Sequence, residues 1–157
     1  MDVLESQIAA RGYNVVNPWR ISDSEQFEAI ATIKDLAKRK RAFQKLNIRV
    51  ASANEEAIRN CDIVLAVLDG ADVDSGTASE VGFAYALGKT ILGYRGDFRR
   101  TGENEGCIVN LQVEYWIKNS GGCLATELTS LWDELVKFSS SATQTLAKKS
   151  KRRDGNR

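Results

Sequence analysis

Ile63-Val64-Leu65-Ala66-Val67-Leu68 is an unbroken apolar run that empties into Asp69-Gly70-Ala71-Asp72-Val73-Asp74-Ser75-Gly76-Thr77-Ala78-Ser79-Glu80. A run of that length reads as a strand buried on both faces, as the strands of parallel sheets are, and is expected to be the central strand of the domain. Residues 75–87 read as a helix stopped by Gly88, and residues 90–94 as the next strand. Strand, loop, helix, strand is the order of an α/β fold with a parallel sheet and right-handed crossovers.

Upstream, residues 2–11 carry Val3, Leu4, Ile8 and Ala9 at helical spacing, and Gly12 stands as a stop. A short strand is expected over residues 13–16, ending at Asn17-Pro18. Residues 24–46 read as one helix, with Phe27, Ile30, Ile33, Leu36, Ala37 and Phe43 on a single stripe. Its run Lys38-Arg39-Lys40-Arg41 reads as a solvated face rather than a nucleic-acid contact. A further turn or two of helix is expected over residues 54–60. Downstream, residues 111–118 and 127–138 read as helices, separated by Ser120-Gly121-Gly122 and a short strand over residues 123–126. Residues 1–138 are expected to form one domain. Residues 139–157, rich in Lys and Arg with little to bury, are expected to be a disordered tail.

Bulk properties exclude several function classes. A chain of 157 residues is the size of one ordinary domain and can bury a core without disulfides or metals. Its 22 basic and 21 acidic residues nearly cancel, so no global field draws it to nucleic acid or to a membrane surface. No apolar run is long enough to span a bilayer, and no basic segment leads into an apolar one at the start, so a soluble cytoplasmic protein is expected. Cys61, Cys107 and Cys123 are odd in number and widely spaced, which fits reduced thiols and no metal site. The chain has no histidine, which rules out Ser-His-Asp and Cys-His nucleophiles and histidine-ligated zinc. No cofactor is implied, and acid-base chemistry falls to carboxylates, lysines and tyrosines.

Ligands of open α/β sheets bind beyond the carboxyl ends of the strands, and the 69–80 segment leaves one such end with Asp69, Asp72 and Asp74 gathered in it. Asp74 stands at a helix N-cap position, and Glu80 falls within the first two turns that follow. The helix-end amides are expected to help keep a nearby carboxylate ionised. An ionised carboxylate facing a sugar ring, with other carboxyls near, is the equipment of retaining glycosyl transfer. In the plainer reading Asp74 only caps the helix and Glu80 lies in solvent.

Residues 61–98 carry Asp62-Ile63-Val64-Leu65-Ala66-Val67-Leu68-Asp69-Gly70, then Asp74-Ser75-Gly76-Thr77-Ala78-Ser79-Glu80-Val81-Gly82-Phe83-Ala84-Tyr85-Ala86, then Gly88-Lys89. This closely resembles the nucleoside 2-deoxyribosyltransferase family. Asn17-Pro18-Trp19 and Asn110-Leu111-Gln112-Val113-Glu114-Tyr115 also look like family features, so the likeness covers most of residues 12–125. The resemblance implies a flavodoxin-like three-layer sandwich, Glu80 as the nucleophile, and a covalent 2-deoxyribosyl intermediate passed between purine or pyrimidine bases. The implied partners are deoxynucleosides and free nucleobases. Asp74 would be a second catalytic carboxylate serving sugar hydroxyls or the base, with Gly76 beside it among the substrate-binding residues. Asn110 matches an asparagine that a neighbouring subunit contributes to the sugar site, which implies a homo-oligomer with shared active sites.

The chain departs from the family pattern at two places. The family begins with a strand running into a loop that supplies an aromatic residue to orient the nucleophile. Here Met1 falls at the start of the first helix, so the sheet is expected to lack that first strand and the chain to be truncated or its start assigned late. Asn54 stands where the family has an aspartate linked to the departing base. An amide hydrogen-bonds a base but cannot protonate it as an acid does, which passes that role to Glu55 or Asp74.

Further candidates carry plain alternatives. Asp72 is set as a substrate contact against a turn former. Asp97 with Arg95, Arg99 and Arg100 is set as a lid or phosphate contact against a solvated loop. Phe83 and Tyr85 read as core rather than ligand contacts, and Trp19 is the aromatic chosen to stack on a base. Three rival functions are a deoxynucleoside 5'-monophosphate glycosidase, a phosphoribohydrolase sharing Gly76-Thr77-x-x-Glu80, and a non-catalytic nucleotide-binding module.

Overall fold

The computed structural model describes residues 2–21 and 24–140. They fall into two compact units divided between Cys61 and Asp62.

The first unit is helical. α1 (Asp2–Ala9) is followed by an irregular stretch, then α2 (Pro18–Ile21), α3 (Ser24–Ala31) and α4 (Leu36–Asn60). Pro18 opens α2, where its missing N–H and fixed φ suit a first helical position. The strand expected over residues 13–16 does not form. An extended segment becomes a strand only when a neighbour takes its backbone groups, and here a side-chain link fixes the segment's end instead. Asn17 Nδ2 donates to Glu5 at 2.7 Å, and Arg20 pairs with the same carboxylate at 3.0 Å.

The single helix expected over residues 24–46 is two helices. Thr32 Oγ1 donates to Ala29 O at 2.7 Å as α3 closes, and Asp35 starts α4 by accepting from Lys38 N at 3.0 Å. α4 then runs unbroken to Asn60 and absorbs the separate turn expected over residues 54–60. Phe27 and Phe43, placed on one stripe by the sequence, meet across this hairpin with ring centroids 6.2 Å apart. The rest of the expected stripe is only partly inward: Leu36 is 69% exposed and Ala37 is exposed. Among the described residues, no helix is long and apolar enough to cross a membrane.

The second unit is α/β: β1 (Ile63–Val67), α5 (Ser75–Ala86), β2 (Thr90–Tyr94), α6 (Leu111–Asn119), β3 (Leu124–Ala125) and α7 (residues 128–140). The sheet is parallel in the order β1-β2-β3, with Ile63 opposite Thr90 and Gly93 opposite Leu124. It is flanked by helices, as in the flavodoxin-like fold. β2 rather than β1 is the middle strand, and it is the more buried of the two. The apolarity of residues 63–68 therefore overstated that strand's centrality. Ile91, Leu92, Val81, Ala84, Val113, Ile117 and Leu131 form the core. α5 and α6 pack closely because Gly82 has no Cβ: one added there would lie 2.9 Å from the Trp116 ring. Gly88, at φ 70°, ends α5 in the left-handed region as a C-terminal stop. Of the expected tail, residues 139–140 continue α7, and 141–157 lie outside the described residues.

Candidate active site

All three strands point their carboxyl ends the same way, so the β1–α5 and β2–α6 loops share one edge of the sheet. At the end of β1, Leu68 N donates to Tyr94 O at 2.8 Å and prolongs the ladder. The chain then turns outward through Asp72, which is exposed and accepts from Val73 N at 2.7 Å. That is the local hydrogen bonding of a turn former.

Asp74 is the N-cap of α5, accepting from Gly76 N at 2.9 Å and Thr77 N at 3.2 Å. Gly76 belongs to this cap, because a Cβ there would lie 2.9 Å from Asp74 Oδ1. Glu80 follows in the second turn, half-buried, and among the described residues no hydrogen bond or ion pair holds its carboxylate. Burial first, and the Asp74 carboxylate second, raise its pKa above the usual glutamate value. This is opposite to the help expected from the helix amides. Burial is the larger reason, and Asp74, which occupies the first-turn donors Gly76 N and Thr77 N, adds the repulsion of its charge. A half-buried carboxyl held by no partner among the described residues is available to react.

The β2–α6 loop supplies a second group. Arg95, placed by sequence in a lid or phosphate contact, is 1% exposed and donates to the carbonyls of Leu68, Gly70 and Arg99. Asp97 pairs with Arg99, which holds its carboxyl well below the usual range, and its backbone N–H donates to Asp69 Oδ1 at 2.9 Å. Arg100 turns to Glu105 O at 2.8 Å. An open cleft of about 480 Å³ lies against Asp69, Gly96, Asp97, Phe98 and Arg99, and neither Asp74 nor Glu80 lines it.

Asn110 is the N-cap of α6, accepting from Gln112 N and Val113 N and donating to Glu103 at 2.7 Å. Tyr85 lies against Tyr115 and Trp116, centroids 6.3 and 6.4 Å away, in agreement with its packing role. Asn54 and Glu55 lie on α4 in the first unit. Asn54 Oδ1 is buried with no hydrogen-bond partner, and Glu55 pairs with Arg59 at 2.6 Å. Trp19 belongs to α2, and its side chain lies outside the described residues.

Sequence reasoning gave no role to Glu114, a residue 5% exposed whose carboxylate accepts from Ile108 N at 2.7 Å and from Lys118. It ties the end of the β2–α6 loop to α6. The available signal was its place three residues before the apolar Ile117, on one face of the helix that follows Asn110.

Comparison with known proteins adds three findings. The family described as "Nucleoside 2-deoxyribosyltransferase" matches residues 1–112. Solved structures similar to this chain include a conserved protein from Enterococcus faecalis V583, 27% identical with a TM-score of 0.50, over 57% of this chain and 64% of that one. They also include a 2-desoxiribosyltransferase from Leishmania mexicana, 25% identical with a TM-score of 0.47, over 57% of this chain and 67% of that one. The match thus spans less than two thirds of the Enterococcus protein. No curated protein matches the chain.

Proposed function

We propose, from the premise that this chain belongs to the nucleoside 2-deoxyribosyltransferase family, that it exchanges the base of a deoxynucleoside through a covalent intermediate on Glu80. The observation that carries the reading is the Glu80 carboxyl: half-buried, without a hydrogen-bond partner among the described residues, in the second turn of the helix that leaves β1, and inside the matched segment. An ionised Glu80 oxygen bonds to the anomeric carbon as the N-glycosidic bond breaks, and the bonding pair leaves with the base nitrogen, which takes up a proton. A nitrogen of the incoming base then displaces Glu80 and loses its proton. Water in place of that base gives free deoxyribose and the same regenerated carboxylate.

Asp74 would lend its outer oxygen to a sugar hydroxyl while its Oδ1 keeps the cap, and Asp72 and Gly76 would flank it. Asn110 would meet the sugar of a neighbouring subunit. Leu111 and Tyr115, 48% and 52% exposed on α6 beside Asn110, suit an interface between copies. A phosphate clamp built on Arg95 is disfavoured, since carbonyls already occupy its guanidinium, and that weighs against the monophosphate glycosidase.

Incubating the protein with deoxyinosine and adenine tests the reading. Deoxyadenosine and hypoxanthine should appear with the unaltered chain and not with Glu80→Ala. Hypoxanthine without deoxyadenosine would make it a hydrolase, and silence from the unaltered chain would leave a binding module.

A further inference from the structure

A buried arginine usually meets a carboxylate, but the partners of Arg95 are backbone carbonyls. Its Nη1 donates to Leu68 O, its Nη2 to Gly70 O at 2.9 Å and Arg99 O at 2.8 Å, and its Nε to Arg99 O at 3.0 Å. Leu68 and Gly70 stand at the root of the loop that leads to Asp74 and Glu80, whereas Arg99 belongs to the loop after β2. The planar fork therefore stitches the two loops together, and a second stitch from Asp97 N to Asp69 Oδ1 at 2.9 Å lies beside it.

Burying a guanidinium costs desolvation that an apolar side chain of similar size would avoid, so stability alone is a poor reason for this residue. A fork of fixed geometry, by contrast, sets the spacing of three carbonyls at once, which a lysine's point charge cannot do. We propose that Arg95 is a positioning residue: it fixes the path of the β1–α5 loop against the β2–α6 loop, and through it the placement of α5 and Glu80. The proposal rests on the glycosyl-transfer reading only for its catalytic consequence, because the stitching itself is a physical property of the two loops.

The test compares the full-length chain with Arg95→Lys and Arg95→Ala by amide hydrogen exchange and by base-exchange kinetics with deoxyinosine and adenine. In both variants, protection should fall in peptides covering residues 69–77 and 96–101 while β1, β2 and α6 keep theirs. kcat should drop by roughly 100-fold, the scale of a nucleophile displaced by about 1 Å, with KM for deoxyinosine little changed. Guanidinium ion added to Arg95→Ala should restore part of the kcat. Unchanged loop protection with unchanged kcat would overturn the proposal. Protection lost evenly across the sheet, with no guanidinium rescue, would also overturn it by reducing Arg95 to a structural part. If the unaltered chain neither exchanges nor hydrolyses, the functional reading fails. Hydrogen exchange then decides the stitching alone: selective loss in the two loops supports it, and unchanged protection refutes it.

Discussion

Burial first, and the Asp74 charge second, make the Glu80 carboxyl a weaker acid than an ordinary glutamate. Because its pKa is raised in the folded chain, its protonated form favours folding below the unfolded glutamate value, and that contribution is lost as pH rises through the folded value. Glu80→Gln should therefore melt like the unaltered protein in acid and slightly higher at neutral pH. The gain should stay within about 2 °C, because the group is only half-buried. The same substitution should lower base exchange by at least ~10³-fold, as loss of a nucleophile does. Asp74 raises the Glu80 pKa and also caps α5, and two variants separate those roles. Asp74→Asn keeps an equally good cap, so thermal stability should hold while the acid limb of the kcat profile moves to lower pH. Asp74→Ala should move the limb the same way and cost about 1 kcal/mol of stability besides. An acid limb that stays in place in both variants would contradict the electrostatic part of the account.

At the scale of elements, the close approach of α5 to α6 in the second unit depends on Gly82. Gly82→Ala would press a methyl group onto the Trp116 ring and should destabilise by about 1–3 kcal/mol, read by denaturant melts. Trimming the ring with Trp116→Leu in the same chain should recover part of that loss. The elements legible in the sequence were those with a terminator beside them. β2 lies between Lys89 and Arg95, α5 between Asp74 and Gly88, and α6 follows its cap Asn110. The elements misread were those whose boundaries depend on partners. Residues 13–16 have strand composition but pair with no strand among the described residues, and the apolar stripe continues through Asp35, which caps α4. Asp74 and Glu80 were legible because capping and second-turn placement follow from spacing. The Arg95 fork was not, since no local pattern shows which distant carbonyls a side chain will reach.

For the whole molecule, the proposed assembly follows from Asn110 and from the exposed Leu111 and Tyr115 on the same helix. Sedimentation should show an oligomer for the unaltered chain. Leu111→Glu with Tyr115→Glu should yield monomers whose exchange activity falls with their association, and monomers at full activity would show each copy to be self-sufficient. The catalytic reading depends on one proposed bond between Glu80 and a sugar carbon. The direct measurement is mass spectrometry of the protein quenched in acid after mixing with deoxyinosine alone, then digested. The account predicts one added 2-deoxyribosyl group on the peptide that contains Glu80, removed when adenine is supplied before the quench. An unmodified peptide in the unaltered chain, together with base exchange that persists in Glu80→Gln, would contradict it.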